Sequence, residues 1–255
     1  MLRRKWLIWS YVAVTILSAL GTIATAVRPI DPGLIRPICG ILMIALGFAI
    51  SVRGLSSAWR VAVTLGFCAL AEIVGLFTGF PFGRYEYTDQ WFPTVSLGSG
   101  HLFPVLLPFA WLMIVGGCVK FVRGRNIRYS VLATAMMVML VDFVMERAMT
   151  EVFGYWHWLS PTGFGDAPWT NAVGWFGVGF CASLLLGARK ADRKADADAV
   201  LVVGLFLGFV ALSGVLQAPD LSWLLPTYVA LEFGIIAKQF YRPKKKLTNE
   251  KEVGA

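Results

Sequence analysis

Eight apolar runs, most of them long enough to cross a lipid bilayer, constrain this chain more than any other feature of its sequence. They lie near residues 6–27, 36–52, 59–78, 102–122, 128–147, 171–188, 197–217 and 223–240, the run at 36–52 being the shortest. In hydrocarbon every backbone N–H and C=O must pair within the protein, so such runs fold as helices; crossing takes about 20 residues. The expectation is an all-α, polytopic membrane protein of about eight transmembrane helices. It forms a single helical domain over 1–242, with its core at 59–188, followed by a basic polar tail at 243–255. Composition points the same way: 57% of the residues are hydrophobic and 15% charged, whereas a soluble domain is about one-quarter charged.

The basic residues set the orientation. Arg3, Arg4 and Lys5 precede an apolar stretch ending at Ala24-Thr25-Ala26, which resembles a cleavable leader. The stretch from Trp6 to Val27 is long enough to span, so it is read as an uncleaved first helix. With the N-terminus in the cytoplasm, only Arg28, Arg36, Arg84 and Arg147 of the 23 Lys and Arg residues fall outside. This asymmetry supports an even number of spans with both termini cytoplasmic, in a multi-pass protein of the cell membrane. It also accounts for the net charge of +8 as topology and attraction to anionic membrane lipid, so no nucleic-acid partner is needed. Cys39, Cys68, Cys118 and Cys181 each stand alone in an apolar run and are read as packing residues. His101 and His157 form no metal-ligand spacing, and no nucleotide-binding motif is present, so neither metal nor cofactor is expected. The sequence names no protein partner.

Four carboxylates interrupt the apolar runs: Glu72, Asp142, Glu146 and Glu232. An aspartate at a helix centre costs about 2.5–3.5 kcal/mol to insert, so each such residue calls for a reason. Asp142 and Glu146 are one helical turn apart and share a face. Glu72 lies near the outer end of the third run and the pair near the outer end of the fifth, beneath two long outer loops at 79–101 and 148–170. The alternative is that Arg84 or Arg147 pairs with an acid and merely fixes helix packing. The loops are rich in Gly, Pro and aromatic residues: Gly79-Phe80-Pro81-Phe82-Gly83-Arg84-Tyr85-Glu86-Tyr87 in one, Phe153-Gly154-Tyr155-Trp156-His157-Trp158 in the other. Some of these aromatics are expected in an interfacial belt, but the Gly and Pro residues imply shaped turns. The two loops echo each other, each with an acid upstream on an outgoing run, and are read as a degenerate repeat enclosing one cavity. Small residues such as Gly75 and Gly79 are expected to let helices approach closely.

The run from Glu72 through Gly75, Thr78-Gly79, Pro81-Phe82-Gly83 and Tyr85-x-Tyr87 resembles the membrane carotenoid biosynthesis protein family. So does Gly154-x-Trp156-x-Trp158, followed by Gly163, Pro168, Asn171 and Gly174-Trp175. The resemblance covers roughly residues 60–180. The chain departs from the family pattern at Glu146-Arg147 and at Asp166. What the resemblance implies is a carotenoid end-group hydratase: water adds to the terminal isoprenoid double bond of an acyclic carotenoid, giving a tertiary alcohol without a cofactor. Glu72, Asp142 and Glu146 would be catalytic. Glu72 or Asp142, kept neutral by burial, would protonate the less substituted alkene carbon, and a second carboxylate would orient and deprotonate the attacking water. Phe82, Tyr85, Tyr87, Trp156, Trp158, Asn171 and Trp175 would form the substrate-binding set, with aromatic faces holding the cation and Asn171 the water. The competing expectations are a carotenoid isomerase of the same family and a membrane carrier for a carotenoid or polyisoprenoid lipid.

Overall fold

Helices form where the apolar runs lie. The computed structural model describes residues 2–28, 30–55, 57–122, 127–160, 167–187, 193–218 and 220. The expected eighth span at 223–240, Glu232, Asp166 and the tail at 243–255 lie outside the described residues. Among the described residues there are seven α-helices: α1 (Leu2–Val27), α2 (Ile35–Val52), α3 (Ala58–Thr78), α4 (Leu107–Val122), α5 (Ile127–Arg147), α6 (Trp169–Leu186) and α7 (Arg193–Gln217). All but α4 are long and apolar enough to cross a membrane. The chain is thus a polytopic, all-α membrane protein.

The exception, α4, is the hub. It packs against α2, α3, α5, α6 and α7, and every residue from Trp111 to Lys120 is buried. A helix apolar on all sides is one that belongs in the interior, and enclosed by its neighbours it need not match the bilayer. At 16 residues it is about 24 Å long. The apolar run begins at residue 102, yet the helix starts only at Leu107. Pro108 sits in its first turn, where the missing N–H costs nothing, and residues 102–104 form a strand instead.

That strand belongs to a small cap absent from the all-helical expectation. Strand β1 (Tyr85–Tyr87) pairs antiparallel with β4 (Trp156–Trp158), and β2 (Thr94–Ser96) pairs antiparallel with β3 (Leu102–Pro104). The first pairing joins the α3–α4 connection to the α5–α6 connection, so both long loops cover the same end of the bundle. At that end α3 stops at Gly79, whose positive φ of 78° and N–H bond to the Gly75 carbonyl cap the helix. Helix α5 runs on through a π-helical turn at Ala148–Val152, closed by Phe153 N–H on the Ala148 carbonyl.

The glycines that bring helices together are not Gly75 and Gly79. Among the described residues such contacts are made by Gly47 against Met113 and Tyr11, Gly116 against Ser51 and Leu55, Gly117 against Val203, and Gly179 against Val138. Gly75 instead leaves room for the Phe82 ring and the Tyr85 hydroxyl, 2.9 and 2.8 Å from where its Cβ would stand.

Candidate active site

Side chains alternate across a strand, and the register of β1 on β4 turns this into a two-faced cap. Tyr85 pairs with Trp158, Glu86 with His157, and Tyr87 with Trp156. Glu86 and His157 face outward, 3.4 Å apart. The four aromatics face inward, and each serves a buried carboxylate. Tyr85 and Tyr87 donate to Glu72 Oε2 at 2.6 and 2.9 Å. Trp156 and Trp158 donate through Nε1 to Glu146 Oε1 at 3.0 and 2.6 Å. The cross-strand pairs are themselves in edge-to-face contact, at 5.5 Å for Tyr85–Trp158 and 6.2 Å for Tyr87–Trp156. Two carboxylates from different helices are thereby held by opposite strands of one ribbon.

Glu72 has a third donor, Trp111 Nε1, on its other oxygen at 2.7 Å. An indole N–H only donates, so this oxygen is an acceptor. Burial, followed by the adjacent Glu72 charge, pushes the Tyr85 and Tyr87 hydroxyls well above the usual phenol range, so both remain donors. Burial raises Tyr155 as well.

Glu146 and Asp142 form the second carboxyl group of the site. Asn171 Nδ2, from the first turn of α6, bridges them, at 2.7 Å from Asp142 Oδ2 and 3.3 Å from Glu146 Oε2. Asp142 Oδ1 is buried with no donor facing it, and the shared Asn171 amide holds the two carboxyl groups side by side. All three acids are at most 4% exposed. Arg147 does not neutralise them: it turns outward to Glu151 at 2.6 Å and Asp220 at 2.8 Å. Among the described residues no ion pair joins Arg84 or Arg147 to these three carboxylates.

Glu72 and Glu146 face a cavity of about 100 Å³, well beyond the ~10–15 Å³ that one water needs. Glu72, Glu146, Phe82, Tyr85, Tyr87, Trp156, Trp158, Asn171 and Trp175 all line it. Asp142 does not. It sits behind Glu146 and lines a second hollow of about 20 Å³ with Glu146, Asn171 and Pro168. Phe82 is wedged beside Trp111 and Tyr85, and Trp175 stacks on Trp111 with centroids 4.0 Å apart.

Several lining residues escape a reading of the sequence. Trp111 sits in an apolar run, where an indole looks like packing. Trp91 and Tyr155, stacked at 5.0 Å, and Met145 and Met149 complete the wall. The Trp91 and Tyr155 signal was present in the aromatic density of the loops; nothing singled out the methionines. Among the described residues no group of three or more His, Cys, Asp or Glu side chains forms a metal-ligand set.

Fold and site together define a polytopic membrane protein with a carboxylate-bearing aromatic cavity beneath a strand cap. The family model described as carotenoid biosynthesis protein matches residues 33–237, and the chain belongs to that family. It is similar to bisanhydrobacterioruberin hydratase of Haloarcula japonica, with 29% identity over 160 residues, covering 60% of this chain and 53% of that protein. The chain therefore spans only about half the length of this curated relative. No solved structure matches.

Proposed function

We propose that the chain is an enzyme of the cell membrane, with both termini cytoplasmic, that adds water across the terminal isoprenoid double bond of an acyclic carotenoid or related polyisoprenoid. The observation that carries this reading is the placement of Glu72 and Glu146 on one aromatic cavity, each with its own donors, and with Asp142 beside Glu146. Family membership and the hydratase relative support the substrate class.

The two carboxyl arrangements suit different roles. Asp142 and Glu146 sit side by side on one amide, with no ion pair to Arg84 or Arg147. Two such close acids do not both ionise readily. Glu146 is the member that faces the cavity, so it delivers the proton, with Asp142 behind it and Asn171 beside it as positioning residues. The alkene π pair takes that proton at its less substituted carbon, leaving a tertiary carbocation. The surrounding indole and phenol faces attract the cation, with about 2 kcal/mol or more for a desolvated cation–π contact. Glu72, held as an acceptor by three donors, places its charge opposite and orients the water. Water oxygen bonds to the cation, and the proton it loses returns to Glu146. The sum is alkene plus water to tertiary alcohol. The hollow beside Asp142 has room for about one water, a source apart from the apolar cavity.

The test is expression in a carotenoid-free host supplied with enzymes for lycopene or for bisanhydrobacterioruberin, with pigments analysed by mass. The expected product gains one water per reacted end. General acid catalysis contributes roughly 10²–10⁴-fold, so Glu146→Gln is expected to lose conversion by that order, and Glu72→Gln is expected to lose it too. Unchanged mass with altered absorption would replace this reading with isomerisation. Unmodified pigment copurifying with the protein would replace it with a carrier.

A further inference from the structure

If the cavity acts on the end of a long polyene, as proposed above, the remainder of that chain must leave it. About 100 Å³ suits an end group. A molecule comparable in length to the ~30 Å hydrocarbon core does not fit inside. Most of the lining is buried, Glu72, Tyr85, Met145, Trp156 and Asn171 included, and the exposed Gln90 and Phe92 belong to the cap-side connection between β1 and β2. Between α2 and α4 it is different. There the lining residues are Pro37, Gly40, Ile41 and Ile44 on one side and Leu106 and Ala110 on the other, all apolar and all only half-buried.

The seam is open only at its cap-side half. Farther along, the helices touch closely, with Gly47 against Met113 and Gly116 against Ser51. Phe48 and Phe109 meet edge to face at 5.0 Å beside these contacts. At Gly40 a Cβ would meet nothing nearer than the Tyr155 hydroxyl, at 4.0 Å, so the missing side chain leaves a gap beside the cavity. An apolar opening in the side of a membrane bundle faces lipid, not water.

We infer that the cap-side seam between α2 and α4 is a lateral portal through which the polyene body passes from the cavity into the bilayer, with Gly40 and Ala110 setting its width. Glu72 and Glu146 act on the chain end while the rest remains dissolved in lipid.

The experiment uses the full-length protein in lipid nanodiscs with two substrates, a long acyclic polyene and a short acyclic isoprenoid alkene bearing the same end. Gly40→Phe and Ala110→Phe narrow the seam. Ile38→Phe, on the exposed side of α2, is the control. Conversion of the polyene should fall about tenfold or more in both seam variants, equivalent to about 1.4 kcal/mol. The short alkene should react as in the wild type, and the control should convert both. Undiminished polyene conversion, or equal loss of both substrates, overturns the portal. Binding is followed separately by the circular dichroism that an achiral polyene acquires in an asymmetric site. Should the wild type convert neither substrate while this signal is present, lost in the seam variants and kept in the control, the portal stands and the hydratase reading falls. Absence of both conversion and signal overturns both.

Discussion

The buried acids differ in what donates to them: Asp142 and Glu146 share the Asn171 amide, and Glu72 has donors of its own. Glu72 depends on three donors from two different elements. A hydrogen bond to a charged group contributes about 1.5–3 kcal/mol, and each 1.4 kcal/mol is about tenfold. Trp111→Phe keeps the ring near Trp175 but removes the N–H from Glu72, so initial rates of product formation are expected to drop at least about tenfold. Tyr85→Phe, which leaves Tyr87 and Trp111 on the carboxylate, is expected to behave similarly. Rates equal to wild type in both variants would show that the charge on Glu72 is not engaged. The acids themselves were legible in the sequence because charge in an apolar run is costly. Trp111 was not, because its role rests on where one N–H points, and only the fold brings Glu72 to it.

At the scale of elements, the cap is built by packing at glycine as much as by strand pairing. The Phe82 ring lies against Gly174, whose added Cβ would stand 2.6 Å from Phe82 Cδ1 and 3.2 Å from the Pro81 carbonyl carbon. Gly174→Ala must displace that ring, and overpacking of this kind costs about 1–3 kcal/mol. A lowered midpoint in a thermal unfolding assay of the detergent-solubilised protein is the expected result, and an unchanged midpoint would mean the loop gives way freely. The helices were legible from their apolar runs. The strands were not: Tyr-Glu-Tyr and Trp-His-Trp alternate in the right way, but three residues fall short of the four to eight over which that period is recognisable. The late start of α4 was hidden for a related reason, since Leu102 and Phe103 are as apolar as the helix that follows.

For the whole molecule, the pairing of β1 with β4 places the cavity at one end of the bundle, and the orientation proposed above puts that end outside. A membrane-impermeant thiol reagent applied to intact cells should therefore label Glu86→Cys and spare Arg53→Cys, both in a Cys181→Ser background because Cys181 is the exposed native thiol. The reverse pattern would invert the topology. The shared side of the two loops was legible in the parity of the spans; their strand-to-strand contact needed coordinates. That contact also governs how such a chain can diverge. Because each inward residue of β1 faces one of β4, a one-residue slip of β1 would turn Tyr85 and Tyr87 out and Glu86 in, stripping Glu72 of two donors, and a slip of β4 would exchange Trp156 and Trp158 for His157 and strip Glu146. A change in one strand of the cap thus acts on the aromatics that face it from the other, whereas the α2–α4 wall carries no strand register, so substitutions there are expected to alter substrate preference while leaving both carboxylates with their donors.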